Sequence, residues 1–210
     1  MPNSRTLVLL SLALSLLVPR AAIAQDPRLE RRLDSATFRA VSAVIDSADR
    51  LGLPVEAMVQ RALEGAAKHA SSAQIVAAVR RLGQDLGAAR DALGAASSQA
   101  EIVAAASALR GGVRVADLTR LRQRRTQDLT VALATLADLV TSGVPPDSAA
   151  AAVIALAGSA RDDQIADFRR AVERDIALGA PPAAAAAVRV DAAIHQAGRL
   201  DGTPGTPRRP

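Results

Sequence analysis

The sequence predicts an all-α fold, and three observations predict it. Alanine supplies 49 of the 210 residues, while Trp and Tyr are absent and Phe occurs only at Phe38 and Phe168. Alanine is the strongest helix former and lets helices approach closely, so a core this poor in large side chains argues for thin helical layers. Apolar residues recur along most of the chain at i, i+3, i+4 and i+7, the spacing of one helix face. One turn also returns: "GLPVEAM" from Gly52 is echoed in "GVRVADL", "GVPPDSA" and "GAPPAAA". No segment alternates apolar and polar residues with β-branched and aromatic enrichment, so no strand is expected.

The first 24 residues stand apart. "MPNSR" is a positively charged n-region, "TLVLLSLALSLLV" an apolar h-region, and Ala22-Ile23-Ala24 a small-x-small cleavage signal. Together they read as a secretory signal peptide cut before Gln25, with an uncleaved anchor as the alternative. Residues 25–34 form a charged lead-in, either loose or a first helical turn. The helical-repeat domain is expected over 35–198. Residues 199–210 end in "GTPGTPRRP", a Pro/Gly-rich stretch expected to be a disordered tail.

Within the domain, Phe38, Val41, Ile45 and Ala48 share one face, and Val55, Met58, Val59, Ala62, Leu63 and Ala66 share the next. Ile75, Val79, Leu82, Leu86, Ala89 and Leu93 follow. Later faces are Ile102, Ala106 and Leu109; Leu129, Ala132, Leu133, Leu136 and Val140; and Ile165, Phe168, Val172 and Ile176. The turn between them has a physical logic. Gly52 can adopt the left-handed conformation that ends a helix, and Leu53 can pack back on it. Pro54 cannot continue the old helix but suits the start of a new one. Glu56 then lies where the helix dipole favours an acid. Weaker copies place Ser or Asp near the same point, as in "HASSAQI", "ASSQAEI", "GVRVADL" and "SARDDQI", consistent with side-chain N-caps.

The turns fall at 52, 69, 96, 112, 143, 159 and 179, giving larger units of 44 and 47 residues. That period is similar to paired-helix solenoids of the HEAT or armadillo kind, and the likeness is one of period only. The expectation is six to eight short antiparallel helices from duplicated hairpins, as a compact bundle or a short HEAT/armadillo-like solenoid. Short connections make consecutive helices antiparallel neighbours in both.

Composition excludes several chemistries. The absence of Cys removes thiol catalysis, disulfides and a lipidated N-terminal Cys. The pI near 11.1 reflects an almost all-Arg basic set. Without Arg5 and Arg20 there are 24 basic against 21 acidic residues, a net of +3. A nucleic-acid partner calls for a larger, clustered excess and is not expected. Missing aromatics also remove base and sugar stacking. His69 and His195 are far apart in sequence and have no ligand-spaced companions, so neither a metal nor a cofactor is expected. Gly83 and Gly87 suggest a close helix approach or a kink, and Asp162 and Asp163 a helix cap and dipole partners.

Two polar clusters remain as candidate interaction sites. Glu64, Lys68 and His69 lie in "EGAAKHASS", where Glu64 and Lys68 have the favourable i, i+4 order. The catalytic alternative there makes Ser71 a nucleophile served by Glu64 and His69. Arg120, Arg122, Arg124 and Arg125 lie in "RLRQRRT", which reads either as a solvated joint or as a patch for anionic lipid, lipopolysaccharide or an acidic partner. The expected function is an exported, non-enzymatic structural or interaction protein of the cell envelope, monomeric or weakly oligomeric, periplasmic or extracellular. Its partner would be an unknown envelope protein or an anionic surface. The alternative is a helical carrier for a lipid or other small apolar ligand.

Overall fold

A computed structural model describes residues 26–201, with side chains as far as His195. The expected signal peptide, residues 202–210 of the expected tail, and the cleavage point lie outside the described residues. Every regular element is an α-helix: α1 (Pro27–Glu30), α2 (Ser35–Arg50), α3 (Val55–Ala67), α4 (Ser72–Leu93), α5 (Gln99–Arg110), α6 (Val115–Arg124), α7 (Thr130–Thr141), α8 (Pro146–Ala157), α9 (Asp162–Ala177) and α10 (Pro182–Asp201). The all-α expectation holds, with ten helices among the described residues where six to eight were expected. One addition is α1 in the lead-in. Asp26 caps it, Pro27 starts it, and Leu29 is fully buried, so this segment is a docked turn. α8, which starts at the expected turn after Gly143, is apolar nearly all round and carries little periodicity.

The helices stack in two rows. α5, α7 and α9 pack in succession in one row, and α6, α8 and α10 in the other. The long α4 joins both rows, touching α2, α3, α5 and α6. α1 lies against α2 and α3 at the N-terminal end. One continuous core runs between the rows, from Leu29 to Ala186. Its large members include Ile45, Met58, Leu86, Leu118, Leu133 and Ile165.

The recurring turn does what its residues predict. Gly52, Gly112, Gly143 and Gly179 all have positive φ, from 70° to 99°. At each, two backbone bonds close the helix end, as in Leu53 N–H to the Ala48 carbonyl (3.0 Å) and Gly52 N–H to the Asp49 carbonyl (2.8 Å). Leu53, Val113 and Val144 follow the glycine and are buried. The same pair of bonds forms around His69, from Ala70 to Gly65 and from His69 to Ala66. His69 takes the glycine position with φ of 54°, the only non-glycine residue with positive φ among those described.

Helix starts follow two chemistries. Ser71 and Ser98 are N-caps with reciprocal bonds from Gln74 and Glu101. Arg114 and Arg161 stand at the corresponding points of α6 and α9, where a Ser or Asp side-chain cap was expected at both. Instead the Gln164 amide oxygen accepts the Arg161 N–H at 2.8 Å. Gly83 and Gly87 part company: a methyl group on Gly83 would lie 3.2 Å from Met58 Cε, whereas one on Gly87 would meet nothing. The close approaches are at Gly65 and Gly111, where an added Cβ would lie 2.9 Å from Ile75 Cγ1 and 2.8 Å from Val140 Cγ1, respectively.

Candidate functional site

The first cluster sits on the last turns of α3. Glu64 pairs with Lys68 at 2.5 Å and with Arg61 at 2.8 Å. The hydrogen bond from Lys68, then that from Arg61, holds the Glu64 carboxyl below the ordinary range. His69 follows in the turn, exposed, and no hydrogen bond ties it to Glu64 or Ser71 among the described residues. Ser71 is engaged with Gln74 at the start of α4. Ser72 reaches across to α2, donating to Asp34 Oδ2 at 3.1 Å. Asp34 caps α2 and also accepts from the Thr37 hydroxyl at 2.5 Å and the Thr37 N–H at 3.0 Å. The Thr37 bonds, outweighing partial desolvation, hold its carboxyl down at about 2. Glu64 and Arg61 also rim an open groove of about 370 Å³ with Gln60, Ser107 and Arg110 over Leu82.

The second cluster is divided by the fold. Arg122 pairs with Glu101 and donates to the Gln127 carbonyl at 3.1 Å. Arg125 is only 9% exposed. It donates to the buried Ala160 carbonyl at 2.8 Å, to the Asp128 carbonyl at 3.3 Å and to Asp162 Oδ1 at 2.5 Å. A planar five-donor fork can serve three such acceptors at once. These two arginines tie the joint between α6 and α7 to α5 and α9, so the joint is not merely solvated. Arg120 pairs with buried Asp117 at 2.9 Å. Arg124 is exposed and makes no ion pair among the described residues.

Sequence reasoning missed the two buried acids that organise this region. Glu101 is 4% exposed. One carboxylate oxygen accepts the Ser98 N–H at 2.8 Å, and the other accepts the Leu129 N–H at 2.8 Å together with Arg122. It therefore caps α5 and secures the start of α7. Burial pushes its carboxyl up, but the Ser98 and Leu129 N–H groups and Arg122 outweigh that, and the net shift is downward. Asp117 accepts from Arg114 at 2.9 Å, and Arg114 continues to Asp147 on α8 at 3.3 Å. The signal for Glu101 was present as the S-x-x-E box of Ser98 and Glu101. Its long-range partners had no sequence signature.

The structure does not join the two clusters: no hydrogen bond or ion pair links them among the described residues. Arg120 and Arg124 instead rim, with Gln123, a trough of about 540 Å³ between α6 and α8, floored by Ala151, Ile154 and Ala155. Among the described residues, no three His, Asp or Glu side chains gather as a metal ion would require, and no helix is long and apolar enough to cross a membrane. No protein-family model matches the chain, and neither the curated proteins nor the solved structures contain a match to it.

Proposed function

We propose that the chain is an exported, non-enzymatic interaction protein of the cell envelope, presenting a fixed helical surface to an envelope protein or an anionic surface. The observation that carries this reading is the trough between α6 and α8. It is open to solvent, has an apolar floor, and keeps Arg124 without an ion-pair partner among the described residues while Arg122 and Arg125 serve the fold. Such a surface suits contact with an amphipathic, acidic partner. The polar groups of the Glu64 cluster support the reading too, since they are engaged in caps and ion pairs. Export rests on the n-region, h-region and Ala22-Ile23-Ala24 signal.

Cell fractionation combined with a photo-crosslinking residue at Gln123 tests both halves. The expected result is an envelope fraction, a mature N-terminus at Gln25 and one reproducible crosslinked neighbour. Recovery from the cytosol with Met1 retained would overturn export. Absence of any neighbour above the level of a crosslinker at an unrelated exposed site would overturn the interaction role.

A further inference from the structure

The trough between α6 and α8 has one charged wall and one bare wall. Arg120 and Arg124 stand one turn apart on α6, with Gln123 between them, while α8 offers Ala151, Ile154 and Ala155. The i, i+4 spacing sets the two arginines about 5–6 Å apart at Cβ on one face of α6. Arg124 is exposed and makes no ion pair among the described residues. Arg120 is 57% exposed and pairs with Asp117 at 2.9 Å, and its five-donor fork can serve a second acceptor. Both ends of α6 are tied. Arg114 bridges the starts of α6 and α8 through Asp147 at 3.3 Å, and Arg122 and Arg125 fix the far end of α6. The trough is thus formed before a partner arrives.

We propose that the trough takes an acidic amphipathic helix of an envelope protein, its apolar stripe laid on Ala151, Ile154 and Ala155 and two acids at i, i+4 facing Arg120 and Arg124. This rests on the interaction role proposed above and chooses a protein helix over an anionic surface as the partner. The form of the partner follows from what the chain can offer. Adding a strand needs an unpaired sheet edge, and no strand occurs among the described residues. A proline-rich segment needs an aromatic-lined groove, whereas the chain has no Trp or Tyr and neither Phe lines the trough. A trough running along two helices, with a floor in i, i+3, i+4 register, accepts the ridge of a third helix. The small alanines of α8 let that helix approach closely. The sign of the partner follows from charge. Arg114, Arg120 and Arg124 meet Asp117 and Asp147, three against two, which leaves one positive charge unmatched. An anionic bilayer is drawn by clusters of about four or more basic residues, which the trough lacks. An acidic helix needs only the local pair.

The test places a photo-crosslinking residue at Gln123 of the full chain in intact cells and sequences the crosslinked stretch of the neighbour by mass spectrometry. The expected stretch has an apolar period of 3.6 residues and two acids four places apart beside it. Arg124→Glu should cut the crosslink yield about tenfold by setting like charges against each other. Arg32→Glu, a change at an exposed arginine just after α1, should leave it unchanged. A synthetic peptide of the stretch should bind the purified chain, lose affinity on R124E by a similar factor, and regain it when its facing acid is changed to Arg. Far-UV circular dichroism of R124E should match wild type, since Arg124 makes no ion pair among the described residues. A stretch without the acidic pair, or a yield indifferent to R124E, would overturn the acidic helix and leave the interaction role standing. Flotation of the chain with phosphatidylglycerol vesicles that R124E abolishes, in place of a protein crosslink, would overturn it in favour of an anionic surface. Absence of both would overturn the proposal together with the role it rests on.

Discussion

Glu101→Ala should be among the most damaging single changes in this chain. Its carboxylate satisfies the Leu129 N–H in a buried site, closes the α5 cap through the Ser98 N–H, and pairs with Arg122. Leaving the Leu129 N–H unsatisfied costs roughly 1–3 kcal/mol. Loss of the reciprocal cap bond adds about 1 kcal/mol. Arg122 is partly exposed and can turn toward water, so losing that pair adds about 1 kcal/mol at most. Together the change should remove about 3–4 kcal/mol and lower Tm by roughly 10 °C for a chain of this size. Far-UV circular dichroism, with heat and with urea, is the assay, because the chain has no Trp or Tyr to report by fluorescence. Acid provides an internal check. The Glu101 pKa is depressed in the fold, so its contribution is complete above the unfolded value of about 4.3 and is lost as pH falls below it. The gap between wild type and E101A should narrow on acidification. A loss under about 1 kcal/mol at pH 7, or a gap independent of pH, would refute the assignment.

The other expectations are smaller or more local. His69→Gly should stabilise by about 0.5–1 kcal/mol, because it relieves the left-handed histidine while raising unfolded-chain entropy; a lower urea midpoint would contradict this. Gly65→Ala should cost about 1–3 kcal/mol through the contact with Ile75, whereas Gly87→Ala, in open space within α4, should gain up to about 1 kcal/mol. Equal effects of the two in thermal melts would count against the packing argument. Arg125→Lys should destabilise nearly as much as Arg125→Ala, about 2–3 kcal/mol by urea titration, because an ammonium cannot serve all three acceptors. Asp34 carries a depressed pKa of about 2, so its cap contribution is present above about pH 4 and lost as pH falls toward 2. Asp34→Ser, which caps without titrating, should show a flatter Tm profile over that range.

How much was legible depended on whether a signal was local. The turn at Gly52 could be read because every group it uses lies within six residues, and its copies at 112, 143 and 179 repeat the same bonds. The S-x-x-E box was legible for the same reason. Periodicity found the core faces of α2, α3 and α4 but missed α8, where "PDSAAAAVIALA" is apolar on nearly every side and has no contrast to detect. His69 was read both as part of a polar cluster and at the turn position of a weaker copy, and the backbone adds that it takes the left-handed conformation there. The arginine run misled because its partners are distant. Arg122 finds Glu101 twenty-one residues back, and Arg125 finds Asp162 thirty-seven residues on. A one-dimensional charge cluster cannot show which members the fold will consume.

The same packing physics explains why polar ties carry so much here. Each buried methylene contributes about 0.8 kcal/mol, and an alanine interface has few of them. Where helices meet through Ala105, Ala106, Ala149, Ala150 and Ala157, each contact therefore gains little. Register between neighbouring helices must then be fixed by something directional. Several ties run between elements: Arg28 to Glu56, Ser72 to Asp34, Arg114 to Asp147, Arg169 to Asp138, and Arg189 to Asp175. Singly, such exposed pairs contribute little, but they discriminate between registers that alanine faces alone would leave nearly equal in energy.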